Sequence, residues 1–295
     1  MNANSAFVCL DDRDRLGRSD QKFFFDVLKV ITMASNIEIL RMLVEAGEDL
    51  NEINDEMRRL LTGVSHSAIQ VSAEDYSVGK HPRFGKTNPE IMEIDFWKAM
   101  VCNGDSAYIA KSMFGDADND NRNKLVWCYQ RFGRTITQLP DGTIVEIGGE
   151  HEDYYDPDFC IYNDVVVYQG DGNFQILGYP REIFPPTDFH SATLVGKYIY
   201  IIGNLGYYNE RISGETPVYQ LHCDTFKIKK VETTGEKPGW ISRHKAFYKE
   251  PNKIQIAGGK VCVTVGEEQE YLDNLFDYAL DLTNFNWIRV DACRD

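Results

Sequence analysis

The 295-residue sequence predicts an α+β chain divided by segment: a helical region over residues 1–115, then three repeated four-stranded antiparallel β-units over residues 131–295. Three observations carry that prediction. Apolar-then-glycine phrases recur at a fixed interval in the second half. Runs rich in β-branched and aromatic residues alternate there with Gly/Asp/Asn turns. The first half instead spaces its apolar residues at helical intervals, and residues 116–130 join the halves as a polar linker with one stray strand.

The repeat comes first because it organises everything after it. TIVEIGG ends at Gly149, YIYIIGN at Asn204 and KIQIAGG at Gly259, so that Gly148, Gly203 and Gly258 are separated by 55 and 55 residues. Upstream of the anchors lie short strands: RTITQL from Arg134, HSATL from His190 and RHKAF from Arg243. Downstream come a variable loop and an alternating strand, Asp164 to Tyr168, Val218 to Leu221 or Phe276 to Leu280. A turn with Asp follows (QGDGN, HCDTF, LDLTN), then a last strand near Phe174, Ile228 or Trp287. Four short strands per unit with such turns describe a propeller blade.

This order of residues resembles the kelch family over roughly residues 131 to 292. The resemblance implies a paired glycine after the second strand, where a Cβ would clash or φ must turn positive. Two departures stand out. Asn204 replaces the second glycine of the middle unit, a mild change because Asn tolerates left-handed geometry, and the first unit lacks the histidine of the other two. Three blades are too few to close a ring, which takes four to eight. Either two chains combine their blades as a homodimer, or the N-terminal half covers the open edges, or a divergent blade lies upstream. LVWCYQR, ending at Arg131, supplies only a stray strand.

Residues 23 to 61 read as helical, with Ile37, Leu40, Leu43 and Val44 on one face. Within them NIEILRMLVEAGEDLN resembles the second helix of an ankyrin repeat, closed by Gly47. A single such repeat cannot bury its own face and has to pack on something else. A second helical pair follows. Thr87 or Asn88 caps a helix with Pro89 at its first position, ending at Asn103 and Gly104; Asp105 or Ser106 opens the next, which stops at Gly115. Its one lysine and the acidity of the chain exclude a DNA-reading helix pair. Phe96, Trp97, Met100, Tyr108 and Met113 read as a packing face against the sheets. DADNDNRN has the first alternating aspartates of a calcium loop but Asn121 and Trp127 where Gly and Glu belong, so it reads as linker.

Composition bounds the function. Hydrophobic content of 43% and charged content of 26% fit a globular protein. No stretch approaches the length of a membrane span, and the first residues have no basic head before an apolar core; a cytoplasmic location is the expectation, with no membrane partner. Seven scattered cysteines without a C-x-x-C pair argue against zinc and redox chemistry. The net charge of −15 excludes nucleic acid and suits a basic protein partner.

The densest polar cluster follows the first glycine pair. It holds Glu150, His151, Glu152, Asp153, Tyr154, Tyr155, Asp156 and Asp158. Carboxylates interleaved with tyrosines on a rim loop fit a Lys/Arg-rich protein surface. The same residues allow a divalent metal, for which His151, Asp153 and Asp156 are the candidates; a solvated acidic loop is the third reading. The second loop repeats the pattern with Tyr207, Tyr208, Glu210 and Arg211, and the third adds Glu267, Glu268 and Glu270. His190 and His244 occupy corresponding positions and read as structural, since structural residues recur from unit to unit and active sites do not.

No nucleophile elbow, zincin, phosphate-loop or dinucleotide motif is present, so no catalytic residue and no cofactor is expected. Galactose-oxidase-type enzymes share kelch blades, but their full ring has no counterpart here. The chain resembles a type of bacterial cytosolic protein with ankyrin-like and kelch-like parts, and by analogy small acidic repeat proteins that neutralise toxins as immunity proteins. The reading is therefore a non-enzymatic interaction scaffold; the alternative is a metal-dependent enzyme using the loop 150–158.

Overall fold

The computed structural model describes residues 55–116, 125–151, 159–266 and 268–290, together with Glu38 and Met42. Most of the helical stretch 23–61, including the ankyrin-like segment, and most of the calcium-like loop lie outside these residues. The described chain is mostly β, with four α-helices and several antiparallel sheets, none closed on itself. Among the described residues, no helix is long and apolar enough to cross a membrane.

The helices come first: α1 (Asp55–Thr62), α2 (Ala73–Gly79), α3 (Asp95–Asn103) and α4 (Ala107–Met113). Ser72 and Ser106 cap α2 and α4 with their hydroxyls, and Gly104 ends α3 with φ 83°. α3 starts six residues beyond Pro89, later than the sequence suggests. Glu90–Ile91 instead forms strand β1. Asn88 is committed elsewhere, its amide bonding both the carbonyl and the N–H of Ile228 (2.6 and 2.9 Å).

The first large sheet runs β2 (Thr135–Gln138), β3 (Ile144–Ile147), β6 (Val165–Tyr168), β7 (Phe174–Gly178), with β1 added at the β7 edge. A short pair, β4 (Glu150–His151) and β5 (Cys160–Ile161), sits between β3 and β6. The second sheet runs β8 (Ser191–Val195), β9 (Tyr198–Ile202), β10 (Val218–His222), β11 (Ile228–Lys230). The third is preceded by β12 (Thr234–Gly235) and β13 (Trp240–Ser242); its strands are β14 (Lys245–Lys249), β15 (Lys253–Ala257), β18 (Asp277–Asp281) and β19 (Asn286–Val290). β12 lies parallel along its β19 edge. The hairpin β16 (Lys260–Val265) and β17 (Glu268–Asp273) pairs with β13 as a separate three-stranded sheet. Each large sheet is thus a simple up-and-down meander, and β1, Asn88 and β12 cover its last strand, where unpaired backbone groups would otherwise invite association.

Strand alternation assigns the faces. Val145, Ile147, Val165 and Val167 of the first sheet meet Ile199, Ile201 and Leu221 of the second. Tyr200, Ile202 and Val218 on the other face of the second meet Ile254, Ile256, Tyr278, Leu280 and Trp287 of the third. Two largely apolar interfaces therefore hold three sheets in a row.

Backbone and side chain both stitch that row. Gly133, Phe189 and Arg243 occupy matching places with φ 63°, 46° and 58°. The Phe189 N–H donates to the Gly133 carbonyl (2.6 Å), and the Arg243 N–H to the Phe189 carbonyl (2.8 Å). One residue on, His190 Nε2 meets Thr135 Oγ1 of the preceding sheet, and His244 Nε2 meets Ser191 Oγ, each at 2.8 Å. Burial holds the two imidazoles down, to about 3 for His190 and about 4 for His244, so both are neutral linkers. At the first sheet, which has no predecessor, the matching residue is Arg134, whose Nη1 donates to the Tyr129 carbonyl at 3.0 Å.

On the first sheet's remaining face Ile144, Glu146, Val166, Tyr168 and Ile176 are buried. The segment 125–131 helps cover it without forming a strand. Tyr129 donates to Glu146 (2.9 Å), and Arg58 of α1 and Arg134 flank the same carboxylate at 3.6 Å. Nearby, Arg131 grips Asp164 through both terminal nitrogens, and Trp127 donates to that carboxylate at 2.8 Å. Trp127 in turn stacks on Trp97 of α3, with ring centroids 4.9 Å apart. Phe96, Trp97 and Met100 are buried as the sequence suggests, but Tyr108 and Met113 of α4 point outward, 70% and 55% exposed. A seven-residue helix has only one face to bury, and Ala107 and Ala110 take it.

Candidate functional site

The three second strands, β3, β9 and β15, end on Gly148, Gly203 and Gly258, with φ 60°, 68° and 65°. At the first two, no side chain fits. A Cβ on Gly148 would stand 2.3 Å from the Thr187 carbonyl oxygen, and one on Gly203 would stand 2.2 Å from that of Ile241. The chain consequently leaves each sheet at the same end, and the loops that follow meet.

They are joined by named contacts. The Tyr207 hydroxyl of the second loop accepts the Ile161 N–H at 2.8 Å, and its ring meets Phe159 edge-on at 5.9 Å, which ties it to the first loop. Gln269 of the hairpin β16–β17 donates to the Tyr208 carbonyl at 3.0 Å. Arg211 is the central fastener. It donates to the carbonyls of Leu205 (2.9 Å) and Gly206 (2.7 Å), to Gln269 Oε1 (2.9 Å) and to the Tyr271 hydroxyl. The rings of Tyr208 and Tyr271 lie 5.8 and 5.3 Å from its guanidinium, in the range of cation–π attraction. Arg181, which the sequence places only in a connecting segment, pairs with Glu210 and lies 5.9 Å from the Tyr207 ring.

Beneath this surface lies a pair of carboxyls. Asp188 is fully buried and accepts the Gly206 N–H at 2.7 Å. Glu150, half-buried, faces it. Desolvation, the neighbouring Asp188 charge and a hydrogen bond between the two push Glu150 up to about 8, against the pull of Arg243 and Arg211. Burial also raises Asp188. Burial and the neighbouring carboxylate thus both favour the protonated form of Glu150. Arg243 stacks its guanidinium 3.4 Å from the Phe189 ring centroid at the rim of the pair.

The residues singled out in the sequence are distributed unevenly. Tyr207, Tyr208 and Glu210 lie on the joined surface, and Tyr208 is half exposed. Glu150 lies under it as part of the buried pair. His151 is buried, its Nδ1 hydrogen-bonded to the Tyr162 hydroxyl at 2.5 Å. Glu152, Asp153, Tyr154, Tyr155, Asp156 and Asp158 lie outside the described residues, as does Glu267; the metal candidates Asp153 and Asp156 are among them. Among the described residues, no group of three His, Cys, Asp or Glu side chains is arranged to hold a metal ion. Sequence reading missed Asp188, Gln269 and Tyr271. Asp188 had a signal: it aligns with Phe132 and Ser242 and is the acidic member of that set.

No family model matches the chain, and no curated protein matches it. Among solved structures the chain is similar to a Bombyx mori GH32 beta-fructofuranosidase in complex with sucrose, at 14% identity and a TM-score of 0.35. The likeness covers 57% of this chain and 39% of that one, and so distant a likeness carries no argument about what this chain does.

Proposed function

We propose that the three large sheets are kelch-like blades of a partial β-propeller, and that the chain is a non-enzymatic scaffold binding a basic protein partner. In this reading residues 131–295 are the blade domain, residues 1–115 a helical region with an ankyrin-like part, and residues 116–130 their link. The protein acts in the cytoplasm, and neutralising a toxin as an immunity protein is the role such a scaffold would fill.

One observation carries the binding reading: the loops after Gly149, Asn204 and Gly259 interlock through Tyr207, Arg211 and Gln269 into one continuous surface. Loops converging on a rigid frame are where proteins place recognition. The surface offers Tyr208 and Tyr271, each held against a guanidinium and half exposed, and the same strand as Tyr271 carries the exposed carboxylates Glu268 and Glu270 on its other face. Rigid aromatic rings with flanking carboxylates suit a partner that presents Lys and Arg. Because Glu150 lies beneath this surface with its carboxyl raised toward the protonated form, the electrostatic attraction falls to the outer acidic residues.

The test is a pull-down from host extract with the full chain, beside a variant carrying Tyr208→Ala, Tyr271→Ala, Glu268→Gln and Glu270→Gln. A partner held by the wild type, lost by the variant and associating more slowly as salt rises is the expected result. A partner that binds both proteins equally and ignores salt overturns the proposal.

A further inference from the structure

The third sheet has one face that nothing in the described chain covers. Ile254, Ile256, Tyr278, Leu280 and Trp287 turn toward the second sheet, so alternation turns their neighbours the other way. Strand register arranges these in three rows across the strands β14, β15, β18 and β19. The middle row is Phe247, Gln255, Ala279 and Ile288. A second row is Lys249, Lys253, Asp281 and Asn286. The third begins with Lys245 and Ala257 and ends with Asp277 and Val290. At Gly258, where the first two sheets press the next segment of chain against the matching glycine, a Cβ would meet nothing within 4 Å.

The charges on this face are sorted. Lys245, Lys249 and Lys253 all lie on β14 and β15, while Asp277 and Asp281 lie on β18. Apolar side chains are sorted with them: Phe247, 39% exposed, stands on the first strand of the middle row and Ile288, 41% exposed, on the last. A twofold axis running parallel to the strands, between β15 and β18, sets the lysine half of one copy over the aspartate half of another. The same operation sets Phe247 against Ile288 twice. A patch that complements itself under rotation is what an isologous dimer contact requires. The face itself is locally near balance, so the repulsion between two copies of net charge −15 is long-range and is screened at physiological salt.

We infer that the outer face of the third sheet binds a second copy of this chain through that twofold. The polar mixture on the face fits a contact whose halves also persist apart, since interfaces of that kind are about as apolar as ordinary surface. Strands of five residues make it small, so the dimer is weak and reversible. The contact lies apart from the loop surface of the proposed partner, and its test involves neither that partner nor those residues.

Sedimentation equilibrium of the full chain up to about 100 µM, the range where small interfaces assemble, tests the inference. The wild type is expected to populate dimer. Phe247→Asp is expected to weaken it at least about tenfold, the effect of a buried anchor lost from an interface. Two charge variants make the decisive comparison, Lys253→Glu and Asp281→Lys, because the twofold sets these two positions of the same row opposite each other. Each by itself sets like charges opposite one another and should be monomeric. Mixed, the glutamate half of one meets the lysine-bearing half of the other, and a heterodimer should return. Circular dichroism establishes that each variant is folded; should Lys253→Glu fail to fold, Lys253→Asp replaces it in the mixture. A wild type that stays monomeric, or a mixture that associates no better than its components, overturns the inference.

Discussion

The two ends of the row of sheets are built from the same repeat and finished in opposite ways. At the first end, the face of β3 and β6 is sealed: Arg58, Tyr129, Arg131 and Arg134 descend onto it, and Glu146 and Asp164 receive them inside the protein. At the other end, the face of β15 and β18 carries lysines and aspartates that nothing else in the described chain covers. The repeat itself predicts only apolar positions at both places. Residue 146 of the first sheet corresponds to Ile201 and Ile256, both buried between sheets, whereas there it is Glu. Residue 255 of the third corresponds to Val145 and Tyr200, whereas there it is Gln. A polar residue at an otherwise apolar repeat position therefore marks an end of the array, and what surrounds it decides whether that end is closed or open.

The largest expected effect lies at the sealed end. Asp164→Ala leaves the Arg131 guanidinium buried without its carboxylate, and Trp127 Nε1 without its acceptor. A loss of about 3–5 kcal/mol is expected in urea denaturation, the usual result of removing one partner of a buried pair. A loss below about 1 kcal/mol, the scale of an exposed pair, would mean that the sealed end is solvated.

The matching glycines give the next comparison. Gly203→Ala drives a methyl group into the Ile241 carbonyl and also strains a positive φ, and should cost about 3 kcal/mol or more. Gly258→Ala strains the same φ in open space and should cost about 1–2 kcal/mol. Equal costs, measured by thermal unfolding, would remove the distinction between a packed and an open end.

The histidines sharpen the comparison through pH. His190 and His244 stay neutral in the fold down to about 3 and about 4, because burial disfavours their charged forms. Between pH 6.5, the ordinary imidazole value, and pH 4, the unfolded chain therefore binds protons that the native chain refuses. Stability should fall as pH falls across that window. His190→Gln with His244→Gln, which keep a side-chain hydrogen-bonding group, should flatten the acid limb of the stability curve; an unchanged limb would mean that the rings protonate in place.

At the carboxyl pair of Glu150 and Asp188 the sign of the pH dependence is opposite. Glu150 is raised to about 8 from 4.5, so over that window the native chain holds a proton that the unfolded chain has lost. This contribution weakens as pH rises. Glu150→Gln should match the wild type at pH 5 and exceed it in Tm above pH 8, the gap widening as pH rises between the two. A variant less stable than wild type at both pH values would show that the glutamate is ionised in the fold.

Much of this architecture was legible because glycine and histidine repeat with the strands. The interval of 55 residues fixed β3, β9 and β15 in register, and the flanking segments fell on the strands that alternation and turn chemistry indicated. The helices were harder. Asn103 and Gly104 marked the end of α3 correctly, but Thr87, Asn88 and Pro89 imitate a helix start while Asn88 is bound to Ile228, 140 residues away. No local signal reports such a contact. The loop surface was legible in its tyrosines and only in part in its fasteners. Tyr207, Tyr208 and Arg211 stand out together, whereas Gln269 and Asp188 gain their roles from neighbours 61 and 18 residues distant. Glu150 was read as a surface charge because its sequence neighbours are acidic. Its state is set instead by Asp188, which comes from the connection between two sheets.

The thread of backbone bonds through Gly133, Phe189 and Arg243 gives the molecule a direction. Each sheet is fastened to the one before it by the same N–H to carbonyl bond and by the same histidine, so coupling passes mainly between nearest neighbours, as in a linear array. An array anchored at one end loosens from the other. Amide hydrogen exchange should be slowest in β3 and β6, intermediate in β9 and β10, and fastest in β15 and β18. The outermost sheet would then fray and re-form while the inner two stay intact.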